Sequence, residues 1–173
     1  IRDREIAKYY LCIALGSLQP SSGHIECFLR KDAQSNTVRV YHHPVPEGRS
    51  AVTLYKTLRT NGALSLLEVE LLTGRTHQIR VHMSYIGHPL FNDERYGGAE
   101  IRKGTIYAKY RQFIQNCFEI CPRQALHAKT LGFVHPGTDK GIQFDSPLPE
   151  DMTAMIDKGR KYINFGGMEE EEE

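Results

Sequence analysis

Apolar and polar positions along the chain follow two periods. Ile25, Cys27 and Leu29 alternate with more polar neighbours across 24–30, and Leu67, Val69 and Leu71 alternate with Glu68 and Glu70. A period of two buries one side of a segment and wets the other, so both stretches read as strands. Residues 8–16, KYYLCIALG, and 37–41, TVRVY, are rich in strand formers, and 124–133 reads the same way. Residues 50–58 and 63–72 flank Asn61-Gly62, a pair suited to a two-residue type I′ turn, and predict a β-hairpin. Helical spacing takes over at three places. Ile79, Met83 and Ile86 share one face of a short helix, and Tyr107, Tyr110, Phe113, Ile114 and Phe118 mark a second helix over 106–121. Met152, Met155 and Ile156 give the buried face of a third, over 150–163. The expected fold class is α+β, a mixed and largely antiparallel sheet with short helices packed on it.

The first of these helices is the most heavily specified. Thr76 is expected as its N-cap, Gly87 as the residue after its C-cap, and Pro89 cannot continue it. Its polar face carries His77, Arg80 and Ser84 beside Arg75. Turn formers, basic groups and imidazoles continue to Gly98, a density that an ordinary loop does not need.

Composition adds three constraints. The length suits one domain, expected over 1–168. Formal net charge is +1, but the chain ends in five glutamates, 169–173; without them 1–168 carries +6. A modestly basic body suits a polyanionic partner, and the glutamates read as a disordered, solvated tail. The four cysteines have no C-x-x-C spacing and read as buried thiols. His42-His43 and the Cys117/Cys121 pair match no ligand spacing, so no metal is expected. No apolar run reaches membrane-spanning length and no signal-peptide pattern occurs, so a soluble, cytoplasmic protein without a membrane partner is expected. Lys31, Arg39 and Arg49 could touch phosphates, but charges so scattered read first as solvated surface.

The run Thr73-Gly74-Arg75-Thr76-His77-Gln78-Ile79-Arg80-Val81-His82, followed by Gly87-His88-Pro89 and Asp93-Glu94-Arg95-Tyr96-Gly97, closely resembles the signature of the RluA-type RNA pseudouridine synthases. Lys8-Tyr9-Tyr10 resembles that family's K-x-Y strand, Arg49 to Thr53 its K-x-A-x-T strand, and Leu126-His127-Ala128 its L-H-A strand. Residues 142–149 resemble its closing strand and exit.

The resemblance implies conversion of uridine to pseudouridine in a flipped-out nucleotide of RNA, without any cofactor. It assigns Tyr10 to the base, Arg80 to holding the nucleophilic aspartate, and Leu126 to the base pocket. Arg75 and His77 are expected at RNA, with ribosomal RNA of the large subunit favoured over tRNA; Asp93 and Tyr96 are expected to brace their loop. The family's H-R-L-D-x-x-T-S-G segment has no counterpart here. The chain therefore reads as the C-terminal part of a catalytic domain, incomplete at its N-terminus, inactive alone and prone to self-association. The rival reading is a catalytically inactive RNA-binding module of the same fold. A metal-binding domain and a purely structural interaction module are weaker rivals.

Overall fold

The computed structural model describes residues 6–99, 108–134 and 141–170. Seven strands form one sheet in the order β3-β2-β4-β5-β1-β6-β7: β1 Ile6–Leu15, β2 Ser22–Lys31, β3 Val38–Tyr41, β4 Arg49–Thr60, β5 Leu64–Leu71, β6 Leu126–Val134 and β7 Gly141–Asp145. Every pairing between these strands is antiparallel. The expected α+β class with a largely antiparallel sheet therefore holds.

β1 shows why the sheet has helices on both sides. Ile13 and Leu15 join one core cluster, while Cys12 and Ala14, pointing the other way, join a second. A strand buried on both faces reads as a continuous apolar run, as 11–15 does. On the first side lie α2 (Ala108–Ile120) and α3 (Glu150–Glu170), packed through Phe113, Ile114, Cys117, Met152 and Met155. Phe91 joins them and stacks on Phe118 with ring centroids 4.9 Å apart. On the other side lies α1 (Gln78–Tyr85), packed through Ile79, Val81 and Met83. The four cysteines are buried free thiols; burial pushes Cys12 and Cys117 up to about 12.

Three local expectations change. The β4–β5 connection is not a two-residue turn. Thr60 pairs with Ser65, leaving four residues between them, and of Asn61-Gly62 only Gly62 has positive φ (86°). Asn61 Oδ1 instead accepts from the backbone N–H groups of Ala63 and Leu64, an Asx arrangement that competes with type I′ geometry. Thr76 is not the N-cap: His77 holds that position at φ 54°, and its side chain caps nothing. Helix α3 runs past its expected end at Ile163 to Glu170. Ile106, Tyr107 and residues 135–140, expected in a helix and a turn, lie outside the described residues, as do 171–173.

Candidate functional site

Helix α1 is held down by a buried polar chain. Gln78 opens the helix with its side chain turned inward, 2% exposed. Its Oε1 accepts from the Thr73 hydroxyl (2.8 Å) and the Arg75 backbone N–H (3.0 Å). Its Nε2 donates to Val52 O and to Thr53 Oγ1, both at 2.9 Å. Thr53 Oγ1 in turn lies 2.7 Å from His82 Nδ1, and His82 Nε2 lies 2.9 Å from Cys27 Sγ. One proton assignment uses every group: the Thr53 hydroxyl donates to Nδ1, and Nε2–H donates to the sulfur. The other tautomer leaves the Thr53 hydroxyl proton without an acceptor. Burial drives His82 down to about 4 and Cys27 up to about 11, so both are neutral, as the assignment requires.

The helix ends as its sequence predicts. Gly87 sits at φ 89°, its N–H donates to Ser84 O, and the His88 N–H donates to Met83 O. These are the two bonds of a Schellman motif. The turn returns the chain to the sheet, where Leu15 N–H donates to Pro89 O and Phe91 N–H to Ile13 O.

The loop that follows folds onto the polar face of α1. Arg80 Nε and Nη2 donate to the two oxygens of Asp93 at 2.8 and 2.9 Å, a bidentate pair. The Asp93 side chain is fully buried and that of Arg80 is 14% exposed. The guanidinium also lies over the Tyr96 ring, 5.1 Å from its centroid. Tyr96 joins three elements. Its hydroxyl accepts from Val38 N–H on β3 and lies 2.8 Å from His77 Nδ1, and its carbonyl accepts from the Ser84 hydroxyl. Because the phenol proton is left for Nδ1, His77 is placed as a neutral ring. Burial first, then the nearby cations Arg80, Arg95 and Lys31, hold it below the ordinary imidazole range, although Asp93 acts the other way. The loop closes through Asn92 N–H to Gly98 O and Gly98 N–H to Asp93 O. A Cβ on Gly98 would run into the carbonyl of Leu90. Gly98→Ala is therefore expected to cost about 1–3 kcal/mol in chemical denaturation, because the obstacle is backbone and cannot rotate away.

These positions bear directly on the residues singled out in the sequence. Tyr10 and Leu126 come together. Tyr10 faces Ala128 and Cys12 faces Leu126 across the β1–β6 pair, making Tyr10 and Leu126 diagonal neighbours on one face. Both, with Leu71 and Ile86, are partly buried at the margin of the cluster formed by Ile79, Met83, Val69 and Leu67. Arg80 rises from the helix that covers this cluster. Arg75 is tied back to β4, its Nε donating to Ser50 O at 2.9 Å. Arg80 is already engaged by a carboxylate within the chain, Asp93, whose expected role is only to brace its loop. The inward roles of Gln78, Thr53, His82 and Cys27 were missed. A signal existed: Gln78 and His82 are four apart and flank Ile79 and Met83, so two polar residues share the buried face.

Among the described residues no group of three or more His, Cys, Asp or Glu side chains is arranged to hold a metal ion, and no helix is long and apolar enough to cross a membrane.

Residues 1–85 match the family model described as RNA pseudouridylate synthase. An uncharacterized RNA pseudouridine synthase of Chlorobaculum parvum is 39% identical over 159 residues, covering 91% of this chain and 48% of that protein. The ribosomal large subunit pseudouridine synthase D of Vibrio parahaemolyticus is 36% identical over 172 residues, covering 99% of this chain and 50% of that protein. The chain thus spans about half the length of these curated relatives. In fold it is similar to human RNA pseudouridylate synthase domain containing 4, with TM-score 0.67, 19% identity, and coverage of 91% of this chain and 63% of that one. On this family model and these relatives, the chain belongs to the RluA-type RNA pseudouridine synthase family.

Proposed function

We propose that the protein carrying this chain isomerises uridine to pseudouridine in RNA, with large-subunit ribosomal RNA as its substrate. The observation that carries the reading is the apolar margin of Tyr10, Leu71, Ile86 and Leu126, which lies against the helix presenting Arg80. A margin of one aromatic and three aliphatic side chains suits the face of a uracil ring turned out of its stack. The name of the Vibrio relative favours ribosomal RNA over tRNA.

The reaction breaks the N1–C1′ bond and joins C5 to C1′; C5 loses its hydrogen and N1 gains one, so the composition is unchanged. It calls for a carboxylate at the sugar, an aromatic ring beside the base and a cation that keeps the carboxylate ionised. Tyr10 is proposed beside the base, Leu126 in the base pocket, Arg75 and His77 at the RNA, and no cofactor takes part. Asp93 is unsuited to attack, because it is fully buried and both its oxygens accept from Arg80. These 173 residues contain no H-R-L-D run, so the nucleophile is proposed to lie outside them, and the isolated polypeptide is expected to be inactive. Asp93 occupies Nε and Nη2 of Arg80, so a second carboxylate would be met through Nη1.

The complete gene product, incubated with ribosomal RNA carrying tritium at uridine C5, should release tritium. Arg80→Lys should lower that rate by about 100-fold or more, since an ammonium cannot keep the fork that fixes the guanidinium on Asp93. Salt-dependent RNA binding with no release from ribosomal or transfer RNA would favour the inactive RNA-binding module, a reading that draws on Arg80 being already satisfied by Asp93.

A further inference from the structure

On the face of the sheet that α1 covers, two buried rows end in the same way. Along β2 the row runs Ile25, Cys27, Leu29 and then Lys31; along β4 it runs Tyr55, Thr53, Ala51 and then Arg49. Period two keeps each row on one face, so Lys31 and Arg49 continue the buried side of the sheet beyond the cover of the helix. The rows are neighbours, with Leu29 paired to Arg49. From above, Gly74, Arg75 and Thr76 lead into α1, and Arg75 is fixed over the start of β4 by its bond to Ser50 O. Between the two layers lies an open cleft of about 360 Å³, lined by Lys31, Arg49, Arg75 and Thr76 with Glu47 as its one carboxylate. No ion pair engages Lys31, Arg49 or Arg75 among the described residues. The first turn of α1 carries no acidic residue either.

Three cations brought together from β2, β4 and the α1 lead-in, in a cleft where the apolar rows stop, need an anion more than a core does. We propose that this cleft binds a phosphodiester of the RNA flanking the target uridine, with Lys31, Arg49 and Arg75 as its contacts. The proposal rests on the RNA reading above and adds to it a site remote from the base. Strand β2 is three strands from the β1 of Tyr10, about 14 Å at ordinary strand spacing. The cleft would therefore hold the strand rather than the reacting nucleotide. His77 extends the same field, since Lys31 and Arg95 both act on its ring.

The test uses the complete gene product and a fluorescein-labelled single-stranded RNA oligonucleotide, with anisotropy read from about 50 to 200 mM salt. Each phosphate neutralised contributes about 0.7 to the slope of log K against log salt on a single strand. The double variant Lys31→Gln/Arg49→Gln should weaken binding several-fold and flatten the slope by about 1.4. Lys56→Gln/Arg111→Gln removes the same charge elsewhere: Lys56 is exposed on the opposite face of β4, and Arg111 is exposed on α2. It should leave the slope near that of the parent. Equal losses in both double variants, or none in either, would overturn the cleft assignment while leaving the RNA reading intact. Absence of RNA binding by the complete protein would overturn both.

Discussion

Asp93→Ala is expected to lower the free energy of unfolding by about 3–5 kcal/mol, the usual cost of removing one partner from a buried ion pair. The size follows from what remains. Arg80 is largely buried, and without Asp93 its Nε and Nη2 protons lose both acceptors in a site that water barely reaches. The Tyr96 ring over the guanidinium compensates only in part, since a cation–π contact is worth about 0.5–2 kcal/mol. Asp93→Asn keeps one acceptor and should cost less. Arg80→Met/Asp93→Leu should cost less than either charge-removing single change, because no uncompensated charge is left behind. Urea denaturation of the four proteins decides the point. If Asp93→Ala lost under 1 kcal/mol, the pair would not be organising the loop, and the role of Asp93 in fixing Arg80 would fall with it.

That pair also marks how far the sequence could be read. The strands were legible because they obey period two, and α1 was legible because Ile79, Met83 and Ile86 share a face while Gly87 and Pro89 stop it. The partner of Arg80 was not. Asp93 lies 13 positions after Arg80 in sequence, and only the turn at Gly87 with the close approach of Gly98 to Leu90 folds the loop back over the helix. Local patterns do not report such a closure. The β4–β5 turn failed for a different reason: Asn61 had two available uses, and its side chain took the local N–H bonds over the positive φ of type I′. Lys31 and Arg49 looked scattered because they lie 18 positions apart, and the β2–β4 register alone makes them neighbours.

The second large effect concerns acid. His82 is fully buried and neutral, held near 4 by burial against an ordinary value of 6.5. Between those values the unfolded chain binds a proton at this site that the folded chain does not. The stabilisation is therefore complete above pH 6.5, falls as pH drops through the window, and is exhausted below about 4. Two and a half units correspond to roughly 3 kcal/mol. His82→Gln cannot titrate, so its deficit against the parent should be largest at pH 7 and shrink by roughly that amount by pH 4. His77 shifts in the same direction, and comparison of the two proteins cancels it. A deficit independent of pH would show that the ring ionises freely. If the variant does not fold, the imidazole resonances of the parent chain decide instead, since His82 must still be neutral at pH 5. Protonation would break the relay at Nδ1, where the Thr53 hydroxyl can no longer donate. The same relay seats Gln78, and through it the start of α1. Acid should thus loosen the helix that carries Arg80.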